Sequence, residues 1–268
     1  MADATAIHGQ SVSGETGDSF QRLRIYNLVM GAVHLAQVVV ILILTNDFSL
    51  PITESFLAGP PGSGAFTEPE VLWDVPIGPF VALFLLISAV DHFLLALPRI
   101  NGWYNANLRR GINYARWWEY AFSASVMIVL IAMLTGISDL DALIPIFAIN
   151  ATMIFFGLLM ETFNLKTQKT NWTPYLFGCF AGAIPWVVIA LSVIGSERNS
   201  PEGVPNFVYG IIISLFLLFN TFTLNMFLQY KRVGPWRDYL FGEKVYVLLS
   251  LVAKTALAWQ VFTSTLID

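Results

Sequence analysis

Two residues in apolar surroundings could do chemistry together: Lys254, in "LSLVAKTALAWQ" (residues 249–260), and Glu119, in "RWWEYAFS". A lysine amine desolvated in a membrane-length segment can form a salt bridge, bind an anion, carry protons, or condense with an aldehyde to give a Schiff base. The last of these makes the amine a covalent anchor for a chromophore. It requires a carboxylate counterion at the same depth and a long apolar slot lined by aromatic and soft side chains. Glu119 can supply the carboxylate, and Ser250 lies one helical turn before the lysine.

The elements that must position these groups are membrane spans. The 268 residues are 56% hydrophobic and only 12% charged, and the mean hydropathy of +0.66 lies far above that of a soluble domain. Seven apolar runs, each near the roughly 20 residues a helix needs to cross a bilayer, are expected at 25–45, 76–98, 112–136, 140–163, 174–195, 205–230 and 243–266. The predicted fold is an all-α membrane bundle of seven transmembrane helices. Residues 1–24, rich in Ser, Gly, Thr and Ala, read as a flexible tail before a single membrane domain, 25–268, with no repeat and no second soluble domain. The lone cysteine, Cys179, excludes an intramolecular disulfide.

Charge sets the expected orientation. Arg22, Arg24, Arg99, Arg109, Arg110, Lys166, Lys169, Lys231, Arg232, Arg237 and Lys244 fall on one side of the predicted spans. Arg198 is the only basic residue on the other, where Asp47, Glu54, Glu68, Glu70, Asp74, Asp139, Asp141, Glu197, Glu202 and Asp268 gather. The positive-inside rule then places the N-terminus in the cytoplasm and the C-terminus outside, in a multi-pass protein of the cell membrane. The long outer loop, 46–75, contains "AGPPGSGAFTEPE" and has no helical period; a small hairpin, a subunit contact or an irregular cap all suit it.

Five ionisable residues remain within the spans: Arg116, Lys254, Asp91, Glu119 and Glu161. Glu161 is expected at the cytoplasmic boundary, and nothing nearby decides between a partner and a wet cavity for Asp91. At about 1.5 Å per residue, Lys254 lies ~15 Å beyond Lys244 and Glu119 ~13 Å beyond Arg110; His34 reaches a similar level, and His92 lies ~10 Å from Arg99. Four titratable groups on four helices thus share one layer. Arg116, Glu119, Tyr120 and Ser123 recur at spacings of three and four on one helix face. Glu119 therefore has two candidate cations, and an Arg116 to Glu119 clamp that merely fixes packing competes with a functional pair. The histidines lack the Cys or carboxylate array of a metal site. Phe216 and Phe219, Pro185-Trp186, and Asn150 with Met153 are compatible with a polyene pocket.

The seven spans, Lys254 in the last and Arg116-x-x-Glu119-Tyr120-x-x-Ser123 in the third resemble the microbial rhodopsins. The cytoplasmic N-terminus, "WWEY", "SLVAKTALAWQ", His34 and His92 resemble, more specifically, the heliorhodopsins. That resemblance implies all-trans retinal on Lys254 as a protonated Schiff base and Glu119 as primary counterion. Ser250 stands where other microbial rhodopsins keep a second carboxylate. Tyr120, Ser123, Asn150, Met153, Trp186, Phe216 and Phe219 become pocket residues, while His34 and His92, with Arg116, belong to a polar region that takes part in proton transfer. It further implies isomerisation to 13-cis, a slow photocycle and a homodimer in the lipid bilayer.

Strong pumping is not expected. The second carboxylate of the familiar pumps lies eleven residues beyond the counterion, and Leu130 occupies that position. A photoreceptor whose basic loops meet a cytoplasmic signalling partner is favoured, rather than an enzyme or a nucleic-acid binder. A light-gated ion or proton pathway and a retinal-free seven-helix receptor or transporter are the alternatives.

Overall fold

A computed structural model describes residues 17–201 and 203–266. Seven of its helices are long and apolar enough to cross a membrane: α1 (Gly17–Leu44), α2 (Ile77–Ala96), α4 (Tyr114–Leu134), α5 (Leu140–Asn164), α6 (Thr173–Asn199), α7 (Asn206–Lys231) and α8 (Tyr239–Val261). The expected tail falls largely on residues 1–16, outside the described residues; residues 17–24 are the opening turns of α1.

An additional helix, α3 (Pro98–Arg109), follows α2 almost without a loop. Proline disfavours the helical conformation in the residue before it, and Leu97 is accordingly extended, which ends α2; Pro98 then supplies the preset first turn of α3. Tyr104 and Leu108 of α3 pack with Phe20, Leu23, Leu95 and Leu240, so α3 lies against the end of the bundle rather than crossing it. Local capping fixes the other starts. Asn113 accepts from the Arg116 amide to open α4, Asp139 from the Asp141 amide to open α5, and Asp238 from the Leu240 amide to open α8. The Asp238 cap starts α8 four residues before the sequence-based boundary, which adds a turn ahead of Glu243.

Helix α4 is the central element. Every residue from Ser125 to Met133 is buried, as expected of a helix apolar on all sides, and α2 and α5 flank it closely. Gly157 of α5 allows this approach, because a Cβ there would collide with the Trp117 ring of α4. Gly157→Ala should displace that ring and cost about 1–3 kcal/mol by overpacking, a loss that thermal unfolding in detergent would register.

The long loop does contain a hairpin, β1 (Ser49–Glu54) paired antiparallel with β2 (Glu70–Pro76) and irregular between Ile52 and Thr53. Thr53 anchors it to the α4 to α5 turn: its amide donates to the Ser138 carbonyl at 2.8 Å, and the two hydroxyls lie 2.9 Å apart.

Candidate functional site

Lys254 on α8 and Glu119 on α4 meet across the helix boundary. Lys254 Nζ lies 3.2 Å from Glu119 Oε1 and donates to Ser250 Oγ at 2.7 Å. Ser88 of α2 donates to the same Glu119 oxygen at 2.6 Å. Both charged groups are buried, at 3% and 8% exposure, so they replace water with each other and with two hydroxyls. The Tyr120 ring lies 5.1 Å from the amine, and the Tyr120 hydroxyl donates to the Tyr246 carbonyl of α8 at 2.8 Å.

The amine opens onto a cavity of about 290 Å³ between α4, α5, α6, α7 and α8. Of the residues expected to form a pocket, Tyr120, Met153, Trp186, Phe216, Phe219, Ser250 and Lys254 line it. Trp186 meets Phe216 and Phe219 edge-on at 5.3 and 5.7 Å, a geometry that fixes three rings as one wall. Gly182 admits the Met153 sulfur, which a Cβ would strike. Ser123 is fully buried with its hydroxyl unpartnered among the described residues. Asn150 donates to Ser125 Oγ at 3.0 Å, bracing α5 against α4; neither is among the residues lining the cavity.

Arg116 does not clamp Glu119. Its guanidinium reaches Glu161 at 2.5 Å and also pairs with Glu243. Glu161 additionally accepts from Trp117 Nε1 at 2.6 Å, the Asn113 amide at 2.9 Å and the Tyr239 hydroxyl at 3.2 Å; Glu243 accepts from Asn113 Nδ2 at 2.7 Å. The guanidinium also packs on Trp117 and Tyr246, 4.3 and 4.0 Å from their ring centroids. Glu161, expected at the boundary, is thus 3% exposed inside a four-donor shell. Both carboxylates draw Arg116 toward the helix ends, leaving Lys254 as the cation on Glu119.

His34 and His92 stack at 5.7 Å with ring planes 12° apart. His92 Nδ1 lies 2.8 Å from Asn27 Oδ1, while Asn27 Nδ2 donates to the Leu23 carbonyl. An amide oxygen only accepts, so Nδ1 of His92 carries the proton. His34 is fully buried, and neither of its nitrogens has a partner among the described residues.

Sequence reasoning missed Ser88, Glu243 and several wall residues, among them Trp117, Met127, Phe222 and Tyr246. Ser88 was findable, since it shares an α2 face with Asp91 and His92 at spacings of three and four. The wall aromatics carried no signal beyond ordinary core residues.

Fold and site together define a seven-helix membrane protein in which a buried lysine, paired with a buried carboxylate, opens onto an apolar cavity. Comparison with solved structures shows the microbial rhodopsin fold. A light-driven proton pump from Leptosphaeria maculans is similar with a TM-score of 0.65 at 14% identity, over 93% of this chain and 97% of that one. Cyanorhodopsin from the cyanobacterium Tolypothrix sp. NIES-4075 gives 0.62 at 12% identity, over 94% and 96%. No curated protein matches. The heliorhodopsin family profile matches residues 23–266, and the chain belongs to that family of light-responsive retinal proteins.

Proposed function

We propose that the protein is a photoreceptor in which Lys254 Nζ anchors all-trans retinal and Glu119 is the counterion. The observation that carries this reading is the 3.2 Å contact between a buried carboxylate and the buried amine that lines the cavity. Retinal fits the residues present, because it needs an amine to condense with, an anion beside that amine and an apolar aromatic slot. It supplies visible absorption and a light-driven change of shape from all-trans to 13-cis. Glu119 stabilises positive charge at Nζ, Ser88 holds the carboxylate in place, and Ser250 holds the nitrogen. Trp186, Phe216 and Phe219 exclude water from the far part of the slot. Movement of Nζ away from Glu119 Oε1 weakens the pair and lets its proton pass to neighbouring acceptors.

His34 and His92 suit a role in that transfer, since the buried His34 imidazole, with neither nitrogen hydrogen-bonded among the described residues, stacks on His92 and can take up or shuttle a proton. Replacing both with alanine should alter the kinetics of proton transfer more than the colour. Flash photolysis with normal kinetics would leave them as packing residues.

Leu130 is fully buried within the core cluster that contains Met127 to Met133, so the position where familiar pumps carry a second acid offers no proton carrier. Strong pumping is therefore not part of this reading, and a slow cycle that reshapes the basic face for a soluble partner is. The excess of basic residues on that face supports a cytoplasmic setting for it and for the N-terminus; a homodimer belongs to the same proposal. Mixing the purified protein with all-trans retinal tests the reading: a visible band is expected, and its absence overturns it. Illumination under voltage clamp should give no current, whereas a photocurrent would favour a light-gated pathway.

A further inference from the structure

The outer face of the bundle is grooved between α2 and α4, away from the cavity that Lys254 enters. Leu83, Leu86, Val90 and Leu94 form one wall, Trp118 and Phe122 the other, and all six are exposed. Leu83 and Leu94 stand eleven residues apart, or ~16 Å along a helix, which is about half of a roughly 30 Å hydrocarbon core. The groove therefore has the length of one leaflet. Two carboxyls lie along it, Asp91 and Glu119. Glu119 is matched by Lys254 and Ser88. Half-buried Asp91, with no hydrogen bond or ion pair among the described residues, lies ~8 Å inside the end of α2.

At its basic end the groove runs into α3. Leu97 caps both α2 and α3, and only residues 110–113 separate α3 from α4, so both ends of α3 are tethered at the membrane edge. Tyr104, Asn107 and Leu108 are its buried side. At about 3.6 residues per turn, Arg99, Trp103, Ala106 and Arg110 share one stripe on the opposite side, and all four are exposed. A Cβ on neighbouring Gly102 would meet open space. Neither Arg99 nor Arg110 has an ion pair among the described residues, and Arg99 has no hydrogen bond either; the Arg110 guanidinium donates to Asn107 Oδ1 at 3.4 Å. Trp103 stacks on Tyr114 at 6.4 Å, and Trp118, one turn beyond Tyr114, stacks on Phe122 at 6.4 Å. An aromatic column thus leads from the arginine stripe into the groove.

We propose that the groove and the α3 stripe together bind one anionic phospholipid of the basic-side leaflet, with an acyl chain between α2 and α4 and the headgroup phosphate between Arg99 and Arg110. Charge selects this occupant. Two unpaired guanidiniums call for a net negative headgroup, and guanidinium meets phosphate oxygens through paired N–H donors. Their long stems can close on the phosphate from either end, over small Gly102 and Ala106. Trp103 and Tyr114 suit the level between headgroup and chain, where amphipathic rings gather. A soluble acidic segment would meet the arginines and leave the leaflet-length groove unused. A zwitterionic lipid would fill the groove and leave the arginines without a net counter-charge. Lys166 and Lys169, in the turn between α5 and α6, lie outside this face and stay available to a soluble partner.

Native mass spectrometry of the full chain tests this, after incubation in detergent with phosphatidylglycerol or phosphatidylcholine of the same acyl chains. The parent should retain one phosphatidylglycerol, preferred by about tenfold or more. Arg99→Gln with Arg110→Gln should remove that preference, and Val90→Trp, which fills the groove, should remove retention of both lipids. Equal retention of the two lipids by the parent would overturn the proposal, as would a preference unchanged by the arginine substitutions. So would a preference that survives Val90→Trp, which would give the arginines to a soluble acidic partner, or displacement by inorganic phosphate at matched ionic strength, which would leave a free-anion site. The three substituted residues are exposed, and helical circular dichroism equal to the parent's shows that the variants fold. No retinal is needed, so the result is independent of the anchor at Lys254.

Discussion

Lys254→Ala should form no visible band with all-trans retinal, while the parent protein forms one. The cavity wall offers hydroxyls from Ser250, Tyr120 and Tyr246 and the thiol of Cys179, but no second amine among the described residues. A hydroxyl or thiol can add to an aldehyde, yet neither yields the conjugated cationic nitrogen that moves absorption into the visible. The substitution has a second effect. It leaves Glu119 buried without its cation, and breaking a buried pair by removing one partner costs about 3–5 kcal/mol. Lys254→Ala combined with Glu119→Gln removes both charges and should recover most of that stability, still without a band. A visible band in the folded double variant would mean that the chromophore is held elsewhere.

Glu119→Gln should move the band to longer wavelength and let it bleach at lower pH. With the carboxylate 3.2 Å from Nζ, an effective dielectric of about 20 gives an attraction of roughly 5 kcal/mol. That attraction favours the protonated nitrogen and concentrates positive charge there in the ground state. Glutamine keeps the shape and the Ser88 contact but removes the charge. The ground state then loses more than the excited state, in which positive charge has moved along the polyene, so the gap narrows. The proton is also held less firmly and is lost earlier on alkalinisation, with the midpoint lower by on the order of 2 pH units once Ser250, which accepts from Nζ, compensates in part. An absorption titration reads both effects, and an unchanged colour and midpoint would assign the counterion to another residue.

The seven spans and the central pair were legible because their signals are local: hydropathy over twenty residues, and helical rise counted from basic residues at the membrane edge. The depth estimate brought Lys254 and Glu119 to one layer, and the structure puts them in contact. Arg116 was not legible. Its spacing of three from Glu119 made a clamp plausible, but direction within a helix face depends on partners far along the chain, here Glu161 and Glu243. Helix α3 was hidden for a different reason. Its residues are too polar for a span, and only the Leu97-Pro98 break and the packing of Tyr104 and Leu108 reveal an amphipathic helix lying on the bundle. The hairpin in 46–75 was one of three alternatives, since a Pro/Gly-rich loop does not encode its own register.

The bond from the Tyr120 hydroxyl to the Tyr246 carbonyl bears on how α8 yields under load. Within an α-helix that carbonyl also serves the amide four residues on, Ser250, so two donors compete for one acceptor and the intrahelical bond is weakened at that point. Ser250 is in turn four residues before Lys254. A locally weakened turn of α8 is thus placed one step below the amine and tied to a side chain of α4. A push on Nζ bends α8 at this joint first, and a phenylalanine at Tyr120 would stiffen it.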